Sequence, residues 1–141
     1  MKNRNIKDNA PHRPSILLAH SEPEEANFLV RFLHLSGYHV TLCYDGHEAL
    51  LRVAERDYDL VVTAVILPGV DGLELVRVIN ERLPGLPVIV LSKSHLEIDR
   101  IYLRHAELFG AAATFTQPFA PSELLHGIRA VLSRKVAAAR A

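Results

Sequence analysis

Five short strand-like runs recur along this chain, each too short for a helix and each followed by a helix-like pattern. They are Ser15 to Ala19, His39 to Tyr44, Leu60 to Ala64, Pro87 to Ser92 and Ala113 to Thr116. Runs as apolar as Ser15 to Ala19 and Leu60 to Ala64 suit strands buried on both faces rather than strands with one wet side. Between them stand helix starts. Ser21 is read as an N-cap with Glu24 as capping-box partner and Pro23 in the first turn; Phe28, Leu29, Phe32, Leu33 and Leu35 follow at helical spacing until Gly37. Asp45-Gly46-His47-Glu48 and Asp71-Gly72-Leu73-Glu74 open the second and third helices, Leu96 to Phe109 forms the fourth, and Pro121-Ser122-Glu123 starts the fifth. Strand and helix alternating five times predict an α/β fold, (βα)5, with a doubly wound, parallel, five-stranded sheet covered by helices on both faces.

Length and composition narrow the class of protein. A chain of 141 residues fits one domain. It divides into a disordered segment 1–14, a folded domain 15–135, and a tail or linker start at 136–141. With 49% hydrophobic and 23% charged residues it reads as globular rather than disordered. Sixteen basic residues against sixteen acidic ones give no bulk attraction to nucleic acid or an anionic membrane, so neither is expected as a direct partner. No apolar run approaches the roughly 20 residues that span a bilayer. One cysteine, Cys43, rules out an internal disulfide and points to a reducing cytoplasm; it is expected to be a small buried residue of the second strand.

In an open parallel sheet, ligands bind beyond the carboxyl ends of the strands, near the switch in strand order. The residues there are His20 and Ser21 after strand one, Ala64 ending strand three, Ser92 ending strand four and Gln117 after strand five. Around them, Leu67-Pro68-Gly69-Val70-Asp71-Gly72 follows strand three and Thr116-Gln117-Pro118-Phe119 follows strand five. Over residues 15 to 135 the chain resembles the receiver domains of bacterial two-component response regulators. The resemblance implies the flavodoxin-like strand order 2-1-3-4-5. It also implies a signalling domain rather than an enzyme, in a phosphorelay-type pathway.

In that family an acidic pair and a phospho-accepting aspartate hold Mg²⁺, because a hard cation takes carboxylate oxygens and acyl-phosphate chemistry needs a carboxylate nucleophile. A Ser or Thr and a Lys then contact the phosphoryl group. Aligned on the motifs, the acidic pair becomes His20 and Ser21, the nucleophile Ala64, and the lysine Gln117; Ser92 alone matches. Thr114 stands at the aromatic switch position of strand five. Other carboxylates are badly placed: Asp59 lies five residues before Ala64, roughly 16 Å away at the wrong end of the strand. Asp71 is an N-cap and Glu22 belongs to the first turn of helix one. Phosphorylation is therefore not expected, and no metal or cofactor is.

Several finer readings accompany this. His20 is expected to be a partly exposed polar residue, Ser92 a polar cap, and Gln117 a hydrogen-bonding group across the pocket. On helix four, Ile98, Ile101, Tyr102, His105, Leu108 and Phe109 form a stripe expected to face the core. Leu96 and Leu103 lie beside it and are expected to face solvent as a partner surface. The resemblance places protein partners (a regulator, kinase or output domain) or a second copy on the helix four, strand five and helix five face. Flavin or small-ligand binding is the alternative on this topology, but Glu22, Glu24 and Glu25 would repel a phosphate where it requires a phosphate loop. A hydrolytic set from Ser21, His20 and Ser92 lacks a nucleophile elbow and an acidic orienter.

Overall fold

The computed structural model describes residues 12–93 and 97–140, without the side chains of 97–99, 139 and 140. Most of the segment 1–14, and Leu96, lie outside the described residues. Strands and helices alternate as β1 (Ser15–Ala19), α1 (Pro23–Leu35), β2 (His39–Cys43), α2 (Gly46–Glu55), β3 (Leu60–Ala64), α3 (Gly72–Arg82), β4 (Val88–Ser92), α4 (Glu97–Leu108), β5 (Ala113–Thr116) and α5 (Pro121–Arg140). All four pairings are parallel, in the order β2-β1-β3-β4-β5. Helix α5 continues to Arg140, past the boundary at 135 expected from the sequence.

The two-residue period of each strand divides the core into two layers. Leu17, Ala19, Val61, Val88 and Val90 meet Ala49 of α2, Leu75, Val76 and Ile79 of α3 and Ala106 of α4. Ile16, Leu18, Leu60, Val62, Ile89 and Leu91 meet Leu29 and Leu33 of α1 and Leu124, Ile128 and Val131 of α5.

Helix boundaries follow local chemistry at most ends. Asp45 and Asp71 accept the backbone N–H groups of Glu48 (2.7 Å) and Glu74 (2.9 Å), as their positions predict. Gly37 ends α1 with φ at 103°. Helix α1 departs from expectation at its start: its N-cap is Glu22, not Ser21, and no side chain caps it.

Helix α4 is turned the other way from the sequence reading. Ile101 and Leu108 are 54% and 75% exposed, and His105 and Phe109 are also at the surface. Of the expected core stripe, Tyr102 alone packs against the core; the side chain of Ile98 is not among those described. Leu103, expected in solvent, is half-buried against the layer that holds Ile79 and Val88. The small Ala106, fully buried, lets this face of the helix approach the sheet closely.

Candidate functional site

At the carboxyl ends of the strands the chain leaves β1 for α1 on one face of the sheet and leaves β3 for α3 on the other. A cavity of about 80 Å³ opens between these connections. His20, Ser21 and Glu22 line it from β1, Ala64, Val65 and Ile66 from β3, Leu91, Ser92 and Lys93 from β4, and Gln117 from β5. All five pocket positions named from the sequence thus meet around one cavity. Thr114 pairs with Val90 inside the sheet and does not line it.

The loop behind Ala64 is held by backbone packing. Gly72 N–H donates to the Val65 carbonyl at 2.8 Å, and Gly46 N–H to the Pro68 carbonyl at 3.1 Å. Gly69 takes φ of 75°, which a residue with a side chain rarely adopts. The Leu67 to Gly72 motif is thereby explained as the turn that carries the chain from β3 into α3.

His20 differs most from its expected environment. It is 3% exposed rather than partly exposed. Its Nδ1 accepts the Glu22 backbone N–H at 3.1 Å, which leaves the ring proton on Nε2. Nε2 lies 2.9 Å from Glu25 Oε2, an approach that is close but not aligned, since that oxygen is shielded from water without a well-directed donor among the described residues. The ring thus holds the backbone N–H of the N-cap residue, just outside α1, and no side chain caps the first turn itself.

Lys93 and Glu22 form an ion pair across the cavity mouth. The hydrogen bond that the Lys93 ammonium donates to Glu22 holds it above its ordinary value; desolvation opposes this, and the charges of Glu25 and Glu22 add to it more weakly. Ser92 Oγ is buried with no partner among the described residues. The Gln117 backbone N–H donates to the Ser92 carbonyl at 2.8 Å, which joins the ends of β4 and β5. No side-chain bond from Gln117 crosses the cavity among the described residues.

Asp59 occupies the other end of β3. Its Oδ2 accepts the Ser15 backbone N–H at 2.8 Å, and its backbone carbonyl accepts from Lys135 Nζ at 3.2 Å. Asp71 is committed as the cap of α3. Among the described residues no group of three or more His, Cys, Asp or Glu could hold a metal ion, and no helix is long and apolar enough to cross a membrane. Sequence reasoning missed Lys93 and Glu25. Lys93 directly follows a strand-end residue already singled out, which was the available signal; nothing in the spacing of His20 and Glu25 marks them as neighbours.

A parallel 2-1-3-4-5 sheet with its cavity at the switch in strand order defines a flavodoxin-like α/β fold. The chain belongs to the response regulator receiver domain family, whose model matches residues 16–129. It is 32% identical over 127 residues to the transcriptional regulatory protein TrcR of Mycobacterium tuberculosis, covering 90% of this chain and 48% of TrcR. It is 33% identical over 124 residues to the alkaline phosphatase synthesis transcriptional regulatory protein PhoP of Bacillus subtilis, covering 88% and 50%. It spans about half the length of these relatives. Among solved structures, the signal receiver domain of an HD domain-containing protein from Pseudomonas fluorescens superposes with a TM-score of 0.78 at 28% identity, over 89% of this chain and 99% of that one.

Proposed function

We propose that this receiver domain is not switched by aspartyl phosphorylation and acts instead by binding a protein through the outer face of α4 with β5 and α5. The observation that carries the reading is Ala64 at the cavity's β3 position, where a methyl group offers no attacking atom. The surrounding residues do not fit Mg²⁺. Glu22 is paired with Lys93, Glu25 lies against His20, and no third carboxylate joins them among the described residues. A flavin is disfavoured by size, since about 80 Å³ is well below the roughly 300–1,000 Å³ of small-molecule sites.

The surface points the same way. Ile101, His105, Leu108 and Phe109 place exposed apolar groups on the solvent side of a helix whose other side is already packed. This stripe, rather than the half-buried Leu103, is the contact surface for a regulator, kinase or output domain, or for a second copy.

Thermal melting with Mg²⁺ and beryllium trifluoride, a phosphoryl mimic, tests the proposal. A ligand present at 100 times its dissociation constant adds about 2.7 kcal/mol of stability. No shift is expected here, and a shift of that size would show that the pocket still takes metal and phosphoryl group.

A further inference from the structure

We propose that the hollow between the amino ends of β4 and β5 and the later turns of α5 binds a small organic anion, with the Arg134 guanidinium as its anchor. The proposal is independent of the pocket at the other end of the sheet.

A cavity of about 640 Å³ opens there. That lies inside the roughly 300–1,000 Å³ of small-molecule sites, which the cavity beside Ala64 does not reach. One wall is the segment from Pro84 to Pro87, where two prolines restrict the backbone and the Leu86 N–H donates to the Leu83 carbonyl at 2.9 Å. Next to it, the Ala112 N–H donates to the Val88 carbonyl at 2.8 Å, so the sheet itself holds this edge. The opposite wall is Val131, Arg134, Lys135 and Ala138. All four follow residue 129, where the match to the receiver family ends, so this wall belongs to the continuation of α5.

The lining selects the class of ligand. Leu86, Pro87, Ala112 and Val131 give an apolar surface for an organic body. The charged groups are of one sign, Arg134 and Lys135, with no carboxylate among the lining residues. Lys135 is already engaged: its Nζ donates to the Asp59 backbone carbonyl at 3.2 Å and lies 3.9 Å from Asp59 Oδ1. Arg134 is not. Among the described residues its side chain makes one hydrogen bond, from Nε to the Ala130 carbonyl of its own helix at 3.4 Å, and it pairs with no carboxylate. The remaining guanidinium N–H groups form a planar fork that matches the oxygens of a carboxylate or a phosphate. Asn80 adds an uncharged polar group to the lining. A Cβ at Gly110 would come within 2.9 Å of its amide atoms, so the glycine leaves that amide its place.

Cations are favoured in the last turns of any helix, so the charges by themselves mark nothing. An apolar hollow of ligand size beside an unengaged guanidinium is what distinguishes this end of α5.

Titration of the full chain with phenyl phosphate and with benzoate, followed by amide NMR shifts, tests the proposal. Benzyl alcohol and inorganic phosphate are the controls for body without charge and charge without body. At least one of the two organic anions is expected to shift the amides of Gly85, Leu86, Gly110 and Ala112, and the tighter of them tells a phosphate ester from a carboxylate. Each control should bind about ten-fold more weakly or less. Arg134→Gln is expected to raise Kd about five- to ten-fold. Ala138→Phe, which fills the hollow, should abolish the shifts, and Arg129→Gln, on the same helix outside the cavity, should leave them unchanged. Arg134 and Ala138 are exposed, so neither variant disturbs the core. Absence of shifts with both organic anions would overturn the proposal. So would equal binding by either control, undiminished binding by the Arg134→Gln or Ala138→Phe chain, or a loss in Arg129→Gln as large as in Arg134→Gln.

Discussion

A methyl group at Gly72 would sit 2.2 Å from the Ala64 carbonyl oxygen and 2.9 Å from Val65 Cα. Both obstacles are backbone, so neither can turn aside as a side chain would. Gly72→Ala is expected to lower stability by about 1–3 kcal/mol through overpacking, measured by urea unfolding. An unchanged midpoint would mean that the β3–α3 turn relaxes freely. Cys43 is fully buried, its Sγ donating to the Leu18 carbonyl at 3.7 Å. Burial first, then the charges of Glu48 and Asp45, push its thiol up to about 12, with Arg52 opposing. The folded chain therefore keeps a proton that the unfolded chain begins to release near pH 9. Stability is lost as pH rises from there toward 12. Urea unfolding at pH 8 and pH 10 should show a steeper loss for wild type than for Cys43→Ala, and equal losses would place the thiol in contact with water.

Helix α4 carries two apolar stripes, and the difference between them is what helical spacing alone could not settle. Ile101, His105 and Leu108 make the bulkier one and invite a core assignment. The sheet instead receives Tyr102, Leu103 and Ala106, because a small residue at the centre permits close approach and larger neighbours fill the flanks. Leu103→Ala is accordingly expected to cost about 1–2 kcal/mol. Ile101→Ser and Leu108→Ser should stay within about 0.5 kcal/mol of wild type. The reverse ranking in denaturant unfolding would restore the stripe first expected. By contrast, the caps Asp45 and Asp71 were legible from the residues alone, since an N-cap bond depends on a carboxylate and a backbone N–H only three positions away. Ser21 is not the cap because the helix begins one residue later than its capping-box spacing implies, with Glu22 at the N-cap position.

The sheet as a unit is closed on both faces, with β1, β3 and β4 between the two core layers and β2 and β5 at its edges. Leu17 to Ala19, Val61 to Thr63 and Ile89 to Leu91 are all buried. These central segments are expected to exchange their amide hydrogens only through global unfolding, while β2 and β5 open locally. Native-state exchange giving β5 the same protection as β3 would move the cooperative core toward that edge. Strand and helix order, the turn motifs and the residues at the strand ends could all be read along the chain. Each depends on local spacing, or on the rule that parallel α/β sheets gather their sites at one end. The burial of His20, its partnership with Glu25, the ion pair of Lys93 with Glu22 and the outward face of α4 could not. Those depend on distances between segments far apart in the chain, which are set by how two helical layers close on the sheet.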